Sequence, residues 1–133
     1  QLLKKHEFQL VVIPSMRTPL NTIHYAKEFF GENHTVVMNV DKKAYLSALA
    51  ISENIVVTCD SSSMISEAAL TGKPVYIANI LPRKNDIRFQ RFRNLFRELN
   101  ITRNLGEDME TWTYQKLDEA NRVAKIIKGR LNI

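Results

Sequence analysis

Three consecutive serines, Ser61, Ser62 and Ser63, stand where an apolar run ending in Thr58-Cys59-Asp60 passes into a segment of helical periodicity. Hydroxyl donors beside the unpaired N–H groups of a first helical turn, where the dipole adds about half a positive charge, suit a phosphate. The bland alternative is that one serine, or Asp60, simply caps the helix. One cap is routine, but it does not account for four cap-type residues in a row. Glu67 follows Ser63 by four residues, so both fall on one helix face, away from Ile65, Ala68 and Ala69. A capping box needs its acid three residues after the cap, and no serine of this trio stands three before Glu67. A carboxylate one turn beyond a diphosphate can accept hydrogen bonds from ribose hydroxyls. An exposed glutamate with no ligand is the competing reading.

A second loop, Ser15-Met16-Arg17-Thr18, follows the first apolar run. The planar fork of Arg17 suits a phosphate, and Ser15 and Thr18 add hydroxyls. Alternatively, Arg17 is a surface arginine and Thr18 a helix cap. The loop Asn39–Lys42 offers a wall for a base but specifies little. His6, His24 and His34 lack metal-ligand spacing, so no metal and no cofactor are expected. Neither G-x-G-x-x-G nor G-x-x-x-x-G-K-[ST] occurs, which argues against a standard dinucleotide or P-loop site. Cys59 ends an apolar run and reads as core, and no G-x-S-x-G supports a serine nucleophile.

The elements that must position these loops are legible as alternation. Four continuous β-branched runs, 8–13, 35–40, 54–59 and 74–79, read as strands buried on both faces. Thr18-Pro19 opens a helix with Leu20, Ile23, Ala26 and Phe30 inward and Gly31 as its stop. Asp41 caps a second helix, with Tyr45, Ala48 and Leu49 inside. A third starts in the serines and ends at Gly72, just before Pro74 opens the fourth strand. Phe89, Phe92 and Phe96 mark an arginine-rich amphipathic helix. The last helix runs from about Tyr114 to Lys128, with Leu117, Ala120, Val123, Ala124 and Ile127 inward, and 82–86 reads as a mobile loop. Strand and helix in steady alternation predict a Rossmann-like three-layer α/β/α sandwich with a mostly parallel sheet. In such a sheet ligands bind outside the C-terminal strand ends, where both loops fall.

The 133 residues suffice for one domain, 1–133, with one core. No apolar run approaches the roughly 20 residues of a membrane span. The start, Gln1-Leu2-Leu3-Lys4-Lys5, lacks a Met and a signal sequence, and reads as a cut inside a longer protein. A single cysteine rules out an internal disulfide, so a reducing, cytoplasmic location is the expectation. The net charge is +5. Between 82 and 104, Arg83, Lys84, Arg88, Arg91, Arg93, Arg97 and Arg103 face only Asp86 and Glu98, again a net +5. That stretch is a solvated helix face or a contact for an anionic partner.

The run from Asp60 through Tyr76 (DSSSMISEAALTGKPVY) resembles the C-terminal part of the mitochondrial-fission "elongated mitochondria" family and its bacterial relatives. So do Pro14–Pro19 (PSMRTP), Arg88–Phe92 (RFQRF), Asn100–Arg103 (NITR) and Tyr114–Val123 (YQKLDEANRV). The resemblance covers nearly the whole chain, although Met16 stands where that family usually carries a second basic residue. It implies the donor-binding, C-terminal half of a GT-B-type glycosyltransferase scaffold. By that resemblance Ser61, Ser62 and Ser63 take the diphosphate and Glu67 the ribose of a nucleoside diphosphate sugar, usually of uridine or guanosine. Transfer would be metal-independent and would need the N-terminal domain of the same full-length protein to supply the acceptor-side base.

Two other functions compete. A non-catalytic protein-interaction domain would keep the serines and Glu67 as relics and would bind nucleotides weakly or not at all. A nucleic-acid or anionic-membrane binder would use Arg83–Arg103 and lose affinity steeply with salt. Nucleic acid is not expected, because the phenylalanines fall at core spacing; peripheral membrane association through this stretch is the remaining form of that reading.

Overall fold

The computed structural model describes residues 2–79, 87–116 and 119–132, with backbone only at Arg88 and Glu119. The order is α1 (Leu2–His6), β1 (Val11–Val12), α2 (Leu20–Phe30), β2 (Thr35–Val36), α3 (Lys42–Ile51), β3 (Ile55–Thr58), α4 (Ser62–Ala69), β4 (Val75–Ala78), α5 (Ile87–Glu98), β5 (Thr102–Asn104) and α6 (Glu119–Leu131). All strand pairing is parallel, β1 with β2 and β3–β4–β5 in that order. This is a Rossmann-like α/β fold. The chain divides into two compact units, Gln1–Ser52 with Gly106–Met109, and Glu53–Leu105 with Glu110–Ile133.

In the first unit the predicted strands shorten to two residues each, because only Val36 is deeply buried while Val11 is exposed. Asp41 caps α3 as expected, its carboxylate accepting the Ala44 N–H at 3.1 Å. Tyr45, Ala48 and Leu49 lie half-buried on one face of α3. Thr18 does not cap α2. Pro19 takes the N-cap position in extended geometry, and its carbonyl receives the Thr22 and Ile23 N–H groups. Of the expected inner face of α2, Ile23 is buried and Leu20 is exposed. Helix α1 has no periodic signal in the sequence. Five residues cannot hold a helix unaided, and Lys5 and His6 are tied to the Asp108 carboxylate at 3.1 and 2.8 Å.

The second unit is built on β4, the one strand buried along both faces, with Val75, Tyr76 and Ile77 nearly inaccessible. The two-face expectation fails for β3, where Val57 is buried but Val56 is 46% exposed. Ile65, Ala68 and Ala69 seal α4 onto the sheet; complete burial of Ile65 alone contributes about 2–3 kcal/mol. Helix α4 ends at Ala69, and Gly72 turns the chain into β4 with φ +74°, a region glycine enters freely.

Tyr114 is not the start of the last helix. Its hydroxyl donates to the Lys73 carbonyl, in the turn before β4, at 2.7 Å and lies 3.3 Å from that of Ala69 at the end of α4. Burial raises its pKa. Helix α6 starts at Glu119, and its apolar residues Val123, Ile126, Ile127 and Leu131 are exposed rather than inward. Leu117 and the 82–86 loop lie outside the described residues.

Candidate functional site

The turn between β3 and α4 leaves the sheet at the C-terminal end of β3, as ligand-binding turns do. The Ser61 N–H is bonded to the Thr58 carbonyl at 3.1 Å, which tightens the turn. Ser61 occupies the N-cap position, but its hydroxyl makes no capping bond to the helix. It is only 6% exposed, whereas Ser62 is half-buried and Ser63 exposed. The simple-cap alternative therefore does not describe Ser61: the first-turn N–H groups of α4 are not satisfied by its hydroxyl. Ser63 and Glu67 are both exposed, on the side opposite the buried Ile65, Ala68 and Ala69. An anion approaching the start of α4 meets the dipole's positive end, Ser62 and Ser63.

Arg93, which the sequence showed only as one cation among seven, reaches this turn. Its half-buried guanidinium donates to the Cys59 carbonyl at 2.9 Å, two residues before Ser61. Helix α5 thus fixes the end of β3 and sets a positive charge behind the serine turn. The signal was present in the spacing: Gln90, Arg93, Asn94 and Arg97 form one polar stripe of α5, and the tilted rings of Phe92 and Phe96 meet with centres 4.5 Å apart on another.

In the first unit, Ser15 and Thr18 are brought together as a closed turn. The Thr18 N–H bonds the Ser15 carbonyl at 3.1 Å, and the Ser15 N–H bonds the Thr18 hydroxyl at 2.9 Å. The two hydroxyls lie 3.2 Å apart, so one of their protons is spent between them, and Ser15 Oγ also accepts the Arg17 N–H at 3.3 Å. The turn offers an anion one hydroxyl proton rather than two. Arg17 is exposed, and Met16 beside it is 90% exposed.

A model of the family described as mitochondrial fission ELM1 matches residues 1–131. The chain belongs to that family. Over 122 residues it is 34% identical to the mitochondrial fission protein ELM1 of Arabidopsis thaliana, covering 88% of this chain and 28% of that protein. Over 92 residues it is 40% identical to an uncharacterized protein of Rickettsia prowazekii (strain Madrid E), covering 67% of this chain and 26% of the relative. The chain therefore spans about a quarter of the length of the curated relatives it matches. No solved structure matches it. Among the described residues no helix is long and apolar enough to cross a membrane.

Proposed function

We propose that this ELM1-family chain is a nucleoside-diphosphate-sugar-binding segment of a GT-B-type, glycosyltransferase-like protein. The observation that carries the reading is the start of α4: a serine N-cap whose hydroxyl does not bond the helix, two further serines, and Ser63 and Glu67 on one exposed face. Ser62, Ser63 and the first-turn N–H groups would hold the diphosphate, and Glu67 the ribose hydroxyls. Ser61, nearly covered, would shape the turn more than touch the ligand. Arg17, with Ser15 and Thr18, is proposed as a separate phosphate contact. In transfer, donors at the leaving diphosphate would stabilise the charge it gains as the glycosidic bond breaks. The acceptor-side base would come from the rest of the full-length protein.

Calorimetric titration with uridine and guanosine diphosphates and their sugars tests this. The expected result is saturable binding that Glu67→Ala weakens about tenfold, the loss of roughly 1.4 kcal/mol expected for a hydrogen bond to a charged group. Arg17→Gln, measured alongside, reports on the separate contact. Absent binding, or binding indifferent to Glu67→Ala, would instead favour a domain that recruits a protein partner without catalysis. The exposed apolar residues of α6 and the fission role printed in the Arabidopsis relative's name support that second reading.

A further inference from the structure

A polar recess opens at the C-terminal edge of the β3–β4–β5 sheet, on the α5 side. It has a volume of about 150 Å³ and is lined by Ile77 and Asn79 from β4 and its exit, Thr102 and Asn104 from β5, and Gln90, Arg93, Asn94 and Arg97 from α5. The register explains the grouping. Val75 pairs with Thr102 and Ile77 with Asn104, so these alternate residues share one face of the sheet. The four α5 residues are spaced three and four apart, so they form one stripe.

A merely solvated helix face would point away from the sheet. This one lies over Ile77 and Thr102, both almost fully buried. The recess brings two guanidiniums and four side-chain amides together, and among the described residues that line it there is no carboxylate. Its groups are already oriented. Arg93 is held by the Cys59 carbonyl at 2.9 Å, Arg97 by the Asn94 side-chain oxygen at 3.0 Å, and Asn79 by that of Asn104 at 3.3 Å. The Arg97–Asn94 bond uses one donor of a fork that carries several.

We propose that this recess binds a small tetrahedral oxyanion, a phosphate group either free or at the end of a phosphorylated small molecule. Size sets the class. At about 150 Å³ the recess suits one phosphate with a short substituent and is well below the roughly 300 Å³ at which pockets for drug-sized ligands begin. Bidentate recognition by planar guanidiniums favours phosphate over chloride. The inference does not rest on the nucleotide reading, which uses Ser62, Ser63 and Glu67.

The test is a titration of the chain with inorganic phosphate and, separately, methyl phosphate, followed by NMR of arginine Nε–H and side-chain amide signals. Sodium chloride at matched ionic strength is the control. The expected result is saturable shifts at Arg93, Arg97, Asn79 and Asn104. Arg97→Gln should weaken them about tenfold, while Glu67→Ala leaves them unchanged. Arg97 is exposed, so its substitution tests binding without risking the fold; Arg93→Lys tests the fork. Tighter binding of methyl phosphate would identify an esterified ligand, and equal or weaker binding free phosphate; both support the site. Shifts reproduced by chloride, or equal at Arg91 and indifferent to Arg97→Gln, would overturn it.

Discussion

At the scale of single residues, the same side-chain types do opposite work in the two serine-containing turns. Ser15 and Thr18 turn inward on each other and on the backbone, which uses one of the two hydroxyl protons their identities promised. Ser61 stands at a helix N-cap without capping it. Asp41 shows the ordinary case, a carboxylate accepting a first-turn N–H. Asp41→Ala should lower stability by about 1 kcal/mol, read as a shift of the urea midpoint at unchanged slope.

Tyr114 carries a pH prediction. Burial lifts its pKa above the ordinary 10.0. As pH rises past that value the unfolded chain releases the phenolic proton while the folded chain still holds it. The stability it contributes is thus present below pH 10 and is lost progressively as pH climbs through the folded value. Urea melts between pH 9 and about 11 should show wild type losing stability faster than Tyr114→Phe, with the two curves converging.

Elements succeed or fail on what closes their ends. The junction of α4 and β4 depends on Gly72 at φ +74°. An added Cβ would meet Lys116 Cε at 2.5 Å, but that is the far end of a flexible chain, so the backbone conformation sets the cost. Gly72→Ala should destabilise by about 1–2 kcal/mol, measured by chemical denaturation, and a change within error would place the strain elsewhere. Helix α1 depends on Asp108, whose pKa is lowered by bonds from Lys5, the Met109 N–H and His6. A depressed carboxylate stabilises above its unfolded value of 3.8 and stops doing so as pH falls through the folded one. Amide exchange in α1 should therefore accelerate below that pH, with added salt, and in Asp108→Asn.

Strand β5 shows why an element can be missed. Its residues, Thr102-Arg103-Asn104, carry no apolar run. What makes them a strand is β4 on one side and Trp112 beneath Arg103, whose guanidinium sits 4.2 Å above the indole ring centre. Trp112 is itself fixed by its N–H bond to the Asn100 carbonyl at 2.9 Å, and Tyr76 meets it edge-on. None of these partners adjoins β5 in a way that local patterning could reveal.

For the whole molecule, length decides what can be asked of it. A chain matching about a quarter of its curated relatives carries the proposed anion site at the start of α4 and the proposed arginine recess. Donor binding and transfer should therefore separate. The isolated chain should bind nucleoside diphosphate yet give no sugar transfer in a product assay with donor and a panel of acceptors, and robust turnover by the chain alone would refute the half-site reading. Salt should weaken nucleotide binding only moderately, because the α4 turn uses fixed backbone dipoles rather than a field of exposed arginines.

Sequence alone determined the alternation of parallel strands and helices, the Asp41 cap, the start of α4, its buried Ile65–Ala68–Ala69 face and the pairing of Ser63 with Glu67 on the other side. These follow from local periodicity and capping chemistry, in which the decisive partner is a few residues away. Only the tertiary structure decided that Thr18 folds back on Ser15, that Arg93 braces the end of β3, that Tyr114 serves the end of α4, and that Asn79, Asn104 and the α5 arginines share one recess. Each depends on partners far along the chain or on the exact turn of a loop, and the free energy that selects such contacts is absent from residue spacing.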